Sequence, residues 1–309
     1  MSPKTPSRRL PLERPRVVEW GTLALFLGCM LLWAASLFLL PQWSMAVALV
    51  ALVLSLVLHS SLSHEVLHGH PFPSRHASEA LVLVTPGLAI PYLRFRDTHL
   101  AHHQDARLTD PYDDPETNYL DPAVWATLPR TLRAVLRVNN TLAGRILLGP
   151  LIAQIAFMRG DWRAWRSGDR QVMRAWLVHL PGMGLVLGLV WAAPMPLWLY
   201  AVACYAALSI LKIRTFLEHR AHETARGRTV IIEDRGILAF LFLNNNLHVV
   251  HHMHPRVPWY RLPALYRANA ARYLACNEGY RYRSYGEVFA RHFWRAKDPV
   301  PHPLWSPDR

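Results

Sequence analysis

Three short stretches concentrate the residues that could do chemistry. His64-Glu65-Val66-Leu67-His68 sets two imidazoles at i and i+4, His99-Leu100-Ala101-His102-His103 sets three at i, i+3 and i+4, and His248-Val249-Val250-His251-His252 repeats the second pattern. On a helix each set shares one face. Neutral imidazole ligates iron, zinc and copper, and eight such rings exceed what one tetrahedral ion can take up. Two metal ions are therefore the economical reading. A packing or hydrogen-bonding role accounts for single residues such as His59, His179, His292 and His302. It does not account for eight at helical spacing, because neighbouring imidazolium ions repel and a metal removes that conflict.

The elements that must position these stretches are written in apolar length. Runs at 20–40 and 43–62 are each about long enough to cross a bilayer, with only Pro41 and Gln42 between them, and runs at 175–191 and 197–213 form a second close pair. The expected fold is all-α and integral to the membrane: four transmembrane helices in two hairpins, with a helical cap carrying the histidines. Neither hairpin turn carries a charge. Lys4, Arg8, Arg9, Arg14 and Arg16 crowd the N-terminus, and arginine recurs between and after the hairpins. The bias places both termini, the middle segment and the histidines on the cytoplasmic side, as in a bacterial inner membrane.

Composition agrees with this. The chain of 309 residues is 52% apolar and only 18% charged, which excludes a disordered tail protein, and its excess of 34 Lys+Arg over 21 Asp+Glu is what topology and anionic headgroups require, without nucleic acid. Three cysteines, two of them (Cys29 and Cys204) inside apolar runs, exclude a disulfide scaffold or a cysteine-based cluster. The first apolar run is too long for a cleaved leader. Shorter apolar stretches at 80–93, 146–157 and 237–247 are expected as helices on, or dipping into, the interface. The domain plan is a basic tail at 1–17, one membrane domain at 18–292 and a C-terminal tail at 293–309, with the Pro-rich ends 1–15 and 299–309 loose or surface-bound.

The order of these features resembles the membrane fatty acid desaturase and hydroxylase superfamily, over about residues 18–267. The likeness extends to two flanking stretches: Thr109-Asp110-Pro111-Tyr112-Asp113-Asp114-Pro115-Glu116 is similar to an acidic loop of many members, and His252-Met253-His254-Pro255 with Pro258-Trp259-Tyr260-Arg261-Leu262-Pro263 to their tail after the third box. The resemblance implies a di-iron centre with about nine histidines. One of these lies just past the fourth span, where His219 is the choice and His222 the competitor. The implied ligands are thus His64, His68, His99, His102, His103, His219, His248, His251 and His252. Some acyl-CoA members hold a metal-bound water on an asparagine at the place of Thr215, so the sequence departs there, and Asn244 stands as either a substitute or a turn residue. Because ligating imidazoles donate their second N–H outward, Glu65, Asp105, Asp110, Asp114, Glu218 and Glu223 are candidate supports.

The implied activity is O2-dependent oxidation of a lipid by two iron ions, with desaturation of an acyl chain as the leading reaction and hydroxylation or carotenoid ketolation as the alternative. Electrons must come from outside, since no Cys-x-x-Cys pair, fused cytochrome stretch or nucleotide fingerprint is present. A ferredoxin, rubredoxin or cytochrome b5 type donor with its reductase is implied. Arg94, Arg96, Arg107, Arg159, Arg163 and Arg166 are candidates for docking it, or for contacting anionic lipid. Two other readings compete. A zinc protease would use His-Glu-x-x-His and leave the other boxes idle, and a metal carrier would place its ligands within the spans.

Overall fold

The computed structural model describes residues 17–103 and 107–306. Helix α1 (Trp20–Phe38) and α2 (Met45–Leu67) form the first hairpin, followed by α3 (Arg75–Val82) and α4 (Tyr92–His102). Four helices, α5 (Pro122–Thr127), α6 (Arg130–Asn139), α7 (Leu142–Leu147) and α8 (Gly149–Arg166), lead to the second hairpin, α9 (Arg170–Ala192) and α10 (Leu197–Thr215). Strand β1 (Ile231–Ile232), α11 (Ile237–Leu241), α12 (His248–Met253), α13 (Leu262–Cys276), β2 (Arg281–Tyr282) and α14 (Tyr285–His292) complete the cap. The two short strands pair in parallel.

Among the described residues, four helices are long and apolar enough to cross a membrane: α1 with the turn after it (Trp20–Gln42), α2, α9 and α10. The innermost is α2, with 50% of its apolar stretch buried against 28% in each of the others. Ser44 caps it by accepting from Val47 N (3.4 Å), and Leu52, Leu56 and Val57 pack into a core shared with Trp33, Leu37, Val186 and Ala203. The outward faces remain apolar, with Leu31, Val50, Leu185 and Val202 exposed. Tryptophans stand exposed at the hairpin turns (Trp43, Trp191 and Trp198) and at the opposite end (Trp20 and Trp294), as membrane-boundary aromatics do. Two expected spans lengthen: α2 continues past residue 62 to Leu67, so its last turn carries His64, and α9 begins at Arg170.

The stretch 80–93 dips deeply. Pro86, Gly87 and Pro91 break it into the end of α3, an irregular turn and the start of α4. Backbone without helical bonds must be satisfied by side chains when water is excluded. Tyr200 Oη donates to Pro86 O (2.7 Å), His179 Nε2–H to Leu88 O (2.9 Å) and Gln154 Nε2 to Ala89 O (2.8 Å), while Trp33 Nε1 donates to Tyr200 Oη (3.1 Å). Tyr200 lies fifteen residues before the end of α10, roughly 22 Å at helical rise. The turn at Pro86 therefore reaches far down the bundle, and the chain climbs back through Pro91 into α4.

Helix α8 turns the usual pattern inside out. Asp161 is buried between Arg94 (2.8 Å) and Trp176 Nε1 (2.8 Å), whereas Leu151, Ile155, Met158, Trp162 and Trp165 form an exposed stripe. Polar inside and apolar outside suits a helix lying against lipid, as expected for 146–157. The stretch 237–247 differs from expectation. Only Ile237–Leu241 is helical, and Phe242, Leu243 and Leu247 are buried within the protein, where α11 packs on α2. Burial in the protein accounts for Phe242, Leu243 and Leu247, while Ile237 and Phe240 stay exposed. Residues 297–302 pack on the loop around Leu120, so this part of the tail is bound.

Candidate metal centre

Each box sits where a helix ends. The last turn of α2 supplies His64, and His68 is its C-cap. Helix α4 supplies His99 and His102, and His103 is its C-cap. Leu243 and Asn244 take left-handed backbone (φ 50° and 57°), a tight reversal that lets α12 start at His248 facing the other boxes. His219 lies four residues beyond α10, in a bridge pairing it antiparallel with Thr229.

These elements bring all nine proposed nitrogen donors into two adjacent groups. His64, His68, His99, His103 and His251 form one, and His102, His219, His248 and His252 the other; within each, the candidate ligand atoms lie within 4.8 Å of one another. Consecutive residues part company: His102 and His103 join different groups, as do His251 and His252. The rings of His103 and His252 stack across the divide with centroids 4.2 Å apart. His99 Nε2 is 3.0 Å from His64 Nε2 and 2.9 Å from His103 Nε2, His251 Nε2 is 3.2 Å from His103 Nε2, and His219 Nε2 is 2.8 Å from His102 Nε2 and 3.1 Å from His248 Nε2. Two nitrogens about 2.1 Å from one ion stand about 3.0 Å apart at a right angle and about 3.4 Å at the tetrahedral angle. The observed separations are those of neighbouring ligands, so the residues fit a pair of metal ions.

The far ring nitrogens strengthen that fit. His99 Nδ1–H donates to Glu116 (3.0 Å), His102 Nδ1–H to Asp114 (2.8 Å) and His248 Nδ1–H to Asn245 Oδ1 (3.0 Å). This tautomer leaves a lone pair on each Nε2, and lone pairs aimed at one point need a cation between them. Asn245 passes the contact on, its Nδ2 donating to Glu218 (3.2 Å), which also pairs with Arg214 (3.1 Å). Asp114 accepts in addition from Thr109 N (2.9 Å) and Glu116 N (2.9 Å).

Of the expected supports, Asp114 and Glu218 stand here. Asp110 instead closes a turn by accepting from Tyr112 N and Asp113 N, and Glu65 accepts from Trp259 N (3.1 Å). Asn244 Nδ2 donates to Trp259 O (3.1 Å), away from the histidines. His222 faces Thr224 and Glu278 and belongs to neither group. Asp105 lies outside the described residues. Glu116 and Asn245 escaped notice although both sat in stretches already marked, the acidic loop and the run Asn244-Asn245-Asn246. Arg94 and Arg96 are held internally by Asp161 and by Glu79 with Asp97.

Burial, and then the like charge of neighbouring rings, holds His68, His103, His219, His248 and His251 well below the usual imidazole pKa. They are neutral at pH 7, as ligands must be. His102 departs from this: burial opposes its charge, but Glu116 and Asp114 hold its pKa up at about 9, so a metal binding at its Nε2 must displace a proton. Burial likewise works to raise the Glu116 pKa, and His99 and His102 overcome it, holding the carboxylate well below its ordinary range.

A profile of the Fatty acid desaturase family matches residues 41–286, most of the chain. Beta-carotene ketolase of Paracoccus sp. (strain N81106 / MBIC 01143) is 24% identical over 216 residues, covering 66% of this chain and 71% of that protein. The chain belongs to the fatty acid desaturase family, and with its four apolar helices it is an integral membrane oxidoreductase of the desaturase and hydroxylase type.

Proposed function

We propose, from that membership, that the protein holds two iron ions on His64, His68, His99, His102, His103, His219, His248, His251 and His252, and uses O2 and external electrons to desaturate an acyl or related lipid chain. The observation that carries this is the gathering of nine imidazoles, with Nε2 atoms at ligand spacing, where α2, α4 and α10 end. Iron bound there supplies the redox capacity to oxidise an unactivated C–H bond, which zinc lacks. The chain's own residues do the orienting. Asp114, Glu116 and Asn245 keep the proton of His102, His99 and His248 on Nδ1, so that each Nε2 stays a donor. Helix α2 brings His64 and His68 to the end of an apolar span, within reach of a chain rising out of the lipid.

The bias of Arg and Lys favours a cytoplasmic site in a bacterial inner membrane. The electron donor is then a cytoplasmic ferredoxin, rubredoxin or cytochrome b5 type protein with its reductase. The similarity to Beta-carotene ketolase supports a second reading, oxygenation of a carotenoid-like polyene. Mass spectrometry of lipids from cells expressing the chain, beside a His252→Ala control, separates the two. Loss of two hydrogens marks desaturation, gain of oxygen marks hydroxylation or ketolation, and no histidine-dependent product rejects both.

A further inference from the structure

The segment after α14 makes contacts that the proposed chemistry leaves unexplained. Lys297 is buried (7% exposed), and its Nζ donates to the backbone carbonyl of His219, a member of the four-histidine group. The ammonium also lies over the Tyr119 ring (5.8 Å) and near Asp298 (4.0 Å). Tyr119 joins the two loops of that group: its hydroxyl donates to the Asp298 carboxylate and accepts from Ala221 N (2.8 Å), two residues past His219. Beyond Asp298, Leu120 N donates to Val300 O (3.0 Å), His302 N to Leu120 O (2.8 Å), and His302 Nε2 lies 3.2 Å from Thr109 Oγ1. Thr109 N in turn donates to Asp114, the partner of His102.

We propose that residues 297–302 are a positioning strap for the four-histidine group: Lys297 and Tyr119 fix the loop bearing His219, and Val300 and His302 fix the acidic loop that orients His102. His102 and His219 are the closest pair in that group, at 2.8 Å. The five-histidine group takes His64, His68, His99 and His103 from α2, α4 and their caps and meets the strapped loop only through Glu116 on His99, so the strap acts mainly on the four-histidine group. A buried ammonium is costly unless its bonds are made, and here the His219 carbonyl, the Tyr119 ring and Asp298 make them. Lys297 is a positioning residue and touches no reacting atom.

This inference rests on the two-iron reading, so the first measurement is iron per chain in the purified wild-type protein; a wild type that loads none removes that reading, and this one with it. Given two ions in the wild type, Lys297→Met and Tyr119→Phe are each expected to hold about one. The remaining ion should be the one whose signal His103→Ala alters, as judged by Mössbauer spectra of 57Fe-loaded protein, and Lys297→Arg should recover part of the second. Two ions with an unchanged spectrum in both variants would overturn the proposal. So would equal loss of both ions, which marks general destabilisation. Should Lys297→Met fail to insert, Tyr119→Phe decides, since it removes only a hydroxyl.

Discussion

The two histidine groups are built by different means. In the five-histidine group, four of the rings come from the last turns and caps of α2 and α4, helices locked into the apolar bundle, and one carboxylate, Glu116, steadies His99. In the four-histidine group, His219 comes from a loop, and outward contacts multiply: Asp114 on His102, Asn245 on His248, and Thr229 Oγ1 at 3.4 Å from His219 Nδ1. Where packing fixes a ligand, few polar partners are needed. Where a loop supplies it, hydrogen bonds must do the fixing. The contrast also sets sensitivity, since one group has a nitrogen more than the other.

Removing a ligand tests that contrast most severely. His252→Ala leaves three nitrogens and should release its ion and abolish turnover, whereas His68→Ala leaves four and should retain more iron, although turnover still falls below detection. Iron per chain by plasma mass spectrometry decides, and equal losses would break the asymmetry. Asp114→Asn should weaken iron retention in the four-histidine group by 10–100-fold, a usual range for an outer partner of a metal-bound histidine. Glu116→Gln should fall toward the lower end of that range, because α4 still holds His99; chelator competition measures both. Asn245→Ala should cost less than about 10-fold, because Asn245 is a neutral partner and charged ones bind roughly twice as strongly. The smallest effects belong to Asp110→Asn and His222→Ala, which should leave iron content and product yield unchanged, since neither side chain reaches the groups. A loss of iron in His222→Ala would reopen the choice of His219.

The spans and the gathering of the three histidine boxes were legible because both signals are local. Apolar length and i, i+3, i+4 spacing depend on residues a turn apart, and the structure answers them with two hairpins and two groups of donors. The allocation of ligands to groups was not legible. Nothing in His102-His103 or His251-His252 tells that neighbours point to different groups, because that depends on how α4 and α12 meet across more than a hundred residues. Turn register failed for a related reason. Left-handed backbone at Leu243 and Asn244 swings Asn244 to Trp259 and leaves Asn245 beside His248, a one-residue difference that spacing does not encode. The later part of the run 237–247 is apolar because Phe242, Leu243 and Leu247 are buried in the protein, and composition does not distinguish a protein neighbour from lipid. The Pro-rich stretch 299–309 reads as loose or surface-bound, and the backbone of Val300 and His302 pairs with Leu120, a pairing no local pattern encodes.

The turn held by Tyr200, His179 and Gln154 has a reach beyond its own backbone. It leads into α4, and with it His99, His102 and His103, so that this helix is rooted part-way down the spans. The nitrogens of α2 and those of α4 therefore meet as the tips of two levers anchored at different depths. Hydrophobic thickness acts on such levers through tilt. Lipid chain length is thereby expected to bear on the spacing of the two histidine groups, so that the bilayer itself becomes part of the geometry of the site.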